Sequence, residues 1–205
     1  MSKVKFSKGE LKRQRDLLVR YERYLPTLQL KKQQLQVEIS QQLELLEEKR
    51  KLMAEKIGQA EAWAGLLQEE GHDIDNWLKE RKVSSGTKNI AGIDIPVFEG
   101  IEYGLVEYDL FASPLWVDAA LESLRQIISL QEQTSLVEKG IEILKRELRV
   151  TTQRVNLFEK IKIPQTRDAI SRIKIFISDQ FTNAVGRSKI AKAKIEREFL
   201  AGALV

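Results

Sequence analysis

The sequence predicts an all-α protein, a long antiparallel two-helix coiled coil with a small β-hairpin insert between the helices. Three observations carry that expectation. Two stretches of strong helix formers repeat apolar residues every seven positions, and a β-branched, glycine-punctuated stretch separates them. The 205 residues also combine 31% charged side chains with 7% aromatics and 4 prolines, a balance typical of charge-laced helices rather than compact β or α/β domains. The predicted segments are an N-terminal coiled-coil helix over residues 1–82, a loop and β-hairpin insert over 83–113, and a C-terminal coiled-coil helix over 114–205.

From about Ser7 to about Leu78, one ladder steps by seven through Leu18, Leu25, Lys32, Ile39, Leu46, Met53, Ala60 and Leu67. A second, interleaved ladder runs through Tyr21, Leu28 and Leu35, then meets Gln42, Lys49 and Lys56. Leu43, Leu45 and Ile57 are expected to take over there, so that the stripe drifts. Pro26 lacks the donor a continuous helix uses and predicts a kink around Tyr24 to Pro26. Gly58, Gly65 and Gly71 weaken the far end.

Val83-Ser-Ser-Gly-Thr87 reads as a flexible loop, and Asn89–Phe98 as a strand with Pro96 near its end. Ile101–Phe111 is expected to pair back on it, resting on the helices because a lone two-stranded unit is marginal. Ser113 then reads as an N-cap, with Pro114 in the first turn of the second helix. In that helix Ile141, Leu148 and Val155 step by seven, interleaved with Val137, Leu144, Thr151 and Phe158. The pattern resumes as Ile163, Ile170, Ile177 and Ala184, displaced by one residue. Pro164 is expected to bend or break the helix at that slip, and Gly186 to fray its last turns.

Each helical segment, at roughly 65 to 75 residues, spans on the order of 100 Å and has a stripe it cannot bury alone. The economical arrangement returns the second helix along the first and brings the termini together. Charge follows the same division. The chain is +4 overall, with +5 in residues 1–24, +3 in residues 187–205 and −4 between them. Both basic ends are expected to converge at one tip, and the β insert to occupy the other end.

This composition excludes several function classes. With no cysteine and one histidine, His72, the chain has no disulfides, thiolate metal sites, cysteine nucleophiles or multi-histidine sites, and a triad would have to be built on His72 alone. His72 beside Asp73 lacks a nucleophile or metal partner and reads as a surface or turn residue. Ser84-Ser85-Gly86-Thr87-Lys88 lacks the glycine spacing and Gly-Lys-Ser/Thr order of a phosphate loop, and Gly186-Arg187-Ser188-Lys189 follows no strand. No catalytic, cofactor or metal residue is predicted. The basic C-terminal face has no interleaved aromatics and the middle of the chain is acidic, which argues against nucleic acid. Trp63, Trp77 and Trp116 flank the insert and read as packing at the widened end of the coil. With no apolar run of membrane-span length and no secretory h-region, a cytoplasmic protein without direct membrane insertion is expected.

Leu11-Lys-Arg13, Leu28-Gln-Leu-Lys-Lys-Gln-Gln-Leu35, Asn89-Ile-Ala-Gly-Ile-Asp-Ile-Pro96 and Arg154-Val-Asn-Leu-Phe-Glu159 before Ile163-Pro164 occur in this order across nearly the whole chain. In this the sequence resembles the D subunit of the V-type and archaeal-type rotary ATPases, the central rotor shaft. Gly186-Arg-Ser-Lys-Ile-Ala-Lys192 departs from the Phe-x-Arg-Leu-Lys pattern of many members.

The resemblance implies a non-catalytic component, peripheral to a membrane, that transmits torque between a catalytic A/B hexamer and an ion-translocating ring. It implies contacts with the A and B subunits, with the central-stalk F subunit and with the membrane-side C (d) subunit, and neither a homo-oligomer nor a cofactor. Expected contacts with the catalytic ring are Arg13, Arg15, Arg187, Lys189, Lys192 and Lys194. Those expected on the membrane side are Ile90, Ile93, Ile95, Val97 and Phe98. Proton or sodium transport, and synthesis or hydrolysis of ATP, belong to other subunits. The rival class is a free-standing coiled-coil adaptor or tether, which would close its seam by homodimerisation.

Overall fold

The structure, a computed structural model, describes residues 5–65, 78–79, 81–104, 114 and 116–202, without the side chains of residues 198 and 200–202. Its elements are α1 (Lys8–Glu61), β1 (Arg81–Ile90), β2 (Ile93–Tyr103), α2 (Trp116–Asn156), a π turn (Leu157–Lys162) and α3 (Ile163–Gly202). They form two compact units, Met1–Gln29 with Thr152–Val205, and Leu30–Thr151. Leu67, Gly71, His72, Trp77, the stretch 105–111 of the expected second strand and Ser113 lie outside the described residues.

Ser7 begins α1, its Oγ accepting the Glu10 N–H at 3.2 Å, and the Glu10 carboxylate accepts from Gln14 Nε2 at 2.7 Å. Such a cap is worth about 1 kcal/mol. Pro26 lies inside α1 without interrupting it. Helix α1 ends at Glu61, short of the expected Leu78, with the Trp63 N–H bonded to the Ala60 carbonyl at 3.1 Å. The helix breaks between Gly58 and Gly65, whose backbone freedom raises the entropic cost there, and Leu78 and Lys79 are again helical.

In the Leu30–Thr151 unit, α1 and α2 pack antiparallel, and the hairpin lies against both. Lys31 meets Glu147 at 3.0 Å, Arg50 meets Glu138 at 2.6 Å and Lys49 Nζ donates to Gln133 Oε1 at 2.6 Å. The seam does not drift to Leu43, Leu45 and Ile57, which are exposed; it runs straight on through half-buried Gln42, Lys49 and Lys56. A lysine tolerates this because its stem packs along the seam while its ammonium reaches Gln133.

The strands are displaced from the sequence expectation. Ser84–Lys88 is not loop but β1, paired antiparallel with β2, and the turn falls at Ala91-Gly92, inside the stretch expected to be one strand. Both turn residues have positive φ, 52° and 79°, the mirror-image turn whose twist suits a two-residue hairpin. Asn89 stabilises it by accepting the Gly92 N–H at 3.1 Å and donating to Asp94 at 2.6 Å. A bulge at Ser84/Ser85 leaves Glu99 without a partner residue.

The hairpin is folded back along the helices instead of forming a separate end. Its tip residues Ile90 and Ile95 join Leu35, Ile39 and Leu144 in one buried cluster, flanked by Ala91, Ile93 and Leu148. At its base, Leu78, Val117 and Leu121 form a second cluster with Tyr103, Trp116, Leu124 and Ile128. Arg81 pairs with Glu132 at 3.1 Å, and the Tyr103 hydroxyl donates to the Arg125 carbonyl at 3.1 Å. Pro114 precedes the helix, its carbonyl accepting the Val117 N–H at 3.1 Å, rather than sitting in its first turn.

In the other unit the start of α1 packs antiparallel on α3. Phe6 meets Phe176 with ring centroids 5.1 Å apart, the Lys8 ammonium lies 4.8 Å from the Phe181 ring, and Arg167 bonds Glu22 at 2.8 Å. Pro164 does not break the helix. The residue slip is absorbed by the π turn ahead of it, where the Ile163 N–H bonds the Phe158 carbonyl five residues back. Buried Ile163, Thr166, Ile170 and Ile173 then continue the stripe. Gly186 does not fray the end, since α3 continues to Gly202.

Candidate functional site

Lys8 on Phe181 marks where α1 runs out as a companion for α3. Beyond it, every described residue from Phe181 to Arg197 is exposed. Yet the pattern there is not that of a solvated helix. Phe181, Val185, Ser188, Lys192, Ile195 and Phe199 follow at alternating steps of four and three, the spacing of one coiled-coil face. Ile195 is 65% and Phe199 78% exposed. At about 100° per residue, Arg187, Lys194 and Arg197 fall on the opposite side, with Lys189 at the edge of the stripe. The overhang therefore has a mainly apolar stripe, interrupted by Ser188 and Lys192, and a mainly basic opposite side that also carries exposed Ile190.

The six cations expected at one tip are divided. All are exposed, but Arg13 and Arg15 lie on the paired part of α1, Arg13 3.6 Å from Glu10, whereas Arg187, Lys189, Lys192 and Lys194 lie on the overhang. From the Lys8–Phe181 contact, the two sets are separated along the axis by about 15 to 30 Å at 1.5 Å per residue. They do not converge because α3 outruns α1. The apolar stripe was absent from the sequence expectation, and the signal for it was a new run of four-three spacing from Phe181, one residue out of phase with the Ile163–Ile170–Ile177–Ala184 ladder.

The five hairpin residues also divide. Ile90 and Ile95 are buried in the intramolecular cluster and Ile93 packs against it, so these three hold the hairpin to the helices. Val97 is exposed and Phe98 half-buried. Both line an open groove of about 330 Å³ with Leu45 and Lys49 of α1 and Leu136 and Val137 of α2. Among the described residues no group of three or more His, Cys, Asp or Glu side chains is placed to hold a metal ion, and no helix is long and apolar enough to cross a membrane.

One unit whose helices close on each other beneath a hairpin, and another in which one helix overruns its companion among the described residues, define a coiled-coil protein. The family model for the ATP synthase D subunit matches residues 10–193, and the chain belongs to that family. It is 42% identical over 200 residues to the V-type ATP synthase D subunit of Borreliella burgdorferi, covering 95% of this chain and 96% of the relative. It is 34% identical over 203 residues to the Chlamydia felis protein of the same name, with 96% and 95% covered. To that of Chlamydia pneumoniae it is 30% identical over 195 residues, with 94% and 93% covered. The D subunit is a component of a membrane-associated ATP synthase complex.

Proposed function

We propose that this chain is the central-stalk rotor of a V/A-type rotary ATPase, transmitting torque between the catalytic A/B hexamer and the membrane ion-translocating ring. The observation that carries the reading, within the D-subunit family, is the α3 overhang. A single helix is only about 10 to 12 Å across with its side chains, slender enough to be enclosed and turned within a ring. Its two unlike faces present a different surface to each surrounding catalytic site as the shaft turns. The cations make weak, screenable contacts that exchange during rotation. In this reading Arg187, Lys189, Lys192 and Lys194 meet the A and B subunits inside the ring, and Arg13 and Arg15 meet them at its mouth.

The hairpin flank, through Val97 and Phe98, serves stalk and membrane-side contacts with the F and C (d) subunits, while Ile90, Ile93 and Ile95 support that surface from beneath. The chain itself performs no catalysis, and it works in the cytoplasm at the membrane periphery. The test is to purify the A/B ring with the full chain or with a chain lacking residues 187–205. The full chain is expected to co-purify as one copy per ring, and the shortened chain to lose the ring while retaining its melting temperature. A stable homodimer that ignores the ring would favour the free-standing adaptor.

A further inference from the structure

The π turn is a one-residue insertion into a heptad. Val155 to Ile163 is eight positions, as is Phe158 to Thr166, where the flanking ladders step by seven. Val155, Ile163 and Thr166 are all buried, so the stripe stays in phase across the insertion. An extra residue in a regular α-helix would rotate everything beyond it by about 100° and turn Ile163, Ile170 and Ile173 out of the seam. The wide turn takes up the residue and prevents this. None of its own residues is buried, and Leu157 and Ile161 are exposed.

The backbone is weak here on both helices. Pro164 has no N–H, so it cannot donate to the Lys160 carbonyl four residues earlier. Pro26 of α1 likewise leaves the Glu22 carbonyl without its helical donor. These two defects face each other. Tyr21 contacts the Phe158 ring with centroids 5.2 Å apart, and Glu22 accepts from Arg167 at 2.8 Å, so the turn of α1 that precedes Pro26 touches the π turn and the helix just beyond it. Thr166 Oγ1 donates to the Lys162 carbonyl at 2.7 Å, which replaces neither of the bonds the prolines remove, so side-chain contacts between the helices hold this level together.

We propose that the π turn and the Pro26 turn facing it form a torsionally soft joint in the coil, created by the inserted residue and located by Pro164. A helix with fewer axial hydrogen bonds and an exposed, widened turn twists more readily than the close-packed turns on either side. Its use, though not its existence, rests on the rotor reading: in a shaft this joint sets how far one end of the helix pair twists relative to the other.

Hydrogen–deuterium exchange of the full chain tests the joint without any partner. Amides of 157–163 should exchange about tenfold or more faster than those of 166–173. Deleting Lys160 together with Pro164→Ala restores seven-residue spacing from Val155 to Ile163 and from Phe158 to Thr166, and should abolish the difference while keeping full helicity. Pro164→Ala alone should leave the fast exchange in place, because the phase still demands the extra residue. Uniform protection in the natural chain, an unchanged pattern after the deletion, loss of the fast exchange with Pro164→Ala alone, or unfolding of the deletion variant would each overturn the proposal. In the assembled complex the deletion variant should narrow the angular fluctuations of a probe on the shaft. Fluctuations of unchanged width would refute the torsional role, whereas failure of the natural chain to join the ring would strike the rotor reading and leave the exchange result standing.

Discussion

The Leu30–Thr151 unit and the α3 overhang use the same heptad spacing to opposite ends. In the first, Leu35, Ile39 and Leu144 are closed over by Ile90 and Ile95 of the hairpin, so the stripe becomes core. In the second, Phe181, Val185, Ile195 and Phe199 stand in solvent. A heptad reports that a helix has a companion face, and it leaves open whether the companion is in the same chain. Apolar residues in the first region should therefore govern folding, and those in the second should govern assembly.

The largest expected effect sharpens that contrast. Leu144 is fully buried, and Leu144→Ala should cost about 2–5 kcal/mol in urea unfolding, whereas Ile195→Ala should change stability by less than about 0.5 kcal/mol while weakening ring binding. Comparable losses of stability from the two would erase the distinction.

Reversing Arg187, Lys189, Lys192 and Lys194 together should come next, impairing ring binding by about 0 to 1 kcal/mol for each exposed contact, with no single one dominant. The Lys192–Glu196 pair, 3.7 Å apart and exposed, should contribute almost nothing to folding. A folding defect in the fourfold variant, read from its melting temperature, would break the assignment of this helix to assembly.

Gly140 probes the packed region in the stabilising direction. It is buried in α2 beneath the hairpin, and an added methyl would rest 3.8 Å from Ile95, an ordinary van der Waals contact. Gly140→Ala should then stabilise the fold by about 0.5–1 kcal/mol through helix propensity. Destabilisation would mean that the hairpin sits closer to α2 than this spacing allows.

Much of this contrast was legible in residue order, and the exceptions have physical causes. The ladder from Leu18 through Ala60 lies buried or half-buried throughout its described length. Gln42, Lys49 and Lys56 misled because polarity outweighed phase, although a seam accepts a polar residue that has a partner such as Gln133. The hairpin turn was hidden because Ala91 has a positive φ, a conformation that residue types rarely advertise outside Asn and Gly. Pro164 drew attention to the right place for half of the reason, since the one-residue slip was readable while the wide turn that absorbs it depends on backbone geometry. The apolar stripe on α3 was not legible because it is out of phase with the Ile163–Ile170–Ile177 ladder and, among the described residues, only the fold shows that α1 does not reach it.

The smallest effect belongs to the hairpin base. Partial burial raises the Tyr103 phenol above its ordinary value near 10, against the lowering influence of Arg81 and Arg125. A raised folded-state pKa means that the contribution is fully present below the unfolded value and is lost as pH rises through the folded one. Stability should decline in that alkaline window, and Tyr103→Phe should remove this part of the decline when melting is followed against pH.

Rotation tests the central claim most directly. With the A/B ring immobilised and a probe fixed to the exposed hairpin flank of this chain, ATP should drive unidirectional turning of the probe, and removal of residues 187–205 should stop it. A ring that hydrolyses ATP at full rate around a bound but stationary chain would contradict the account.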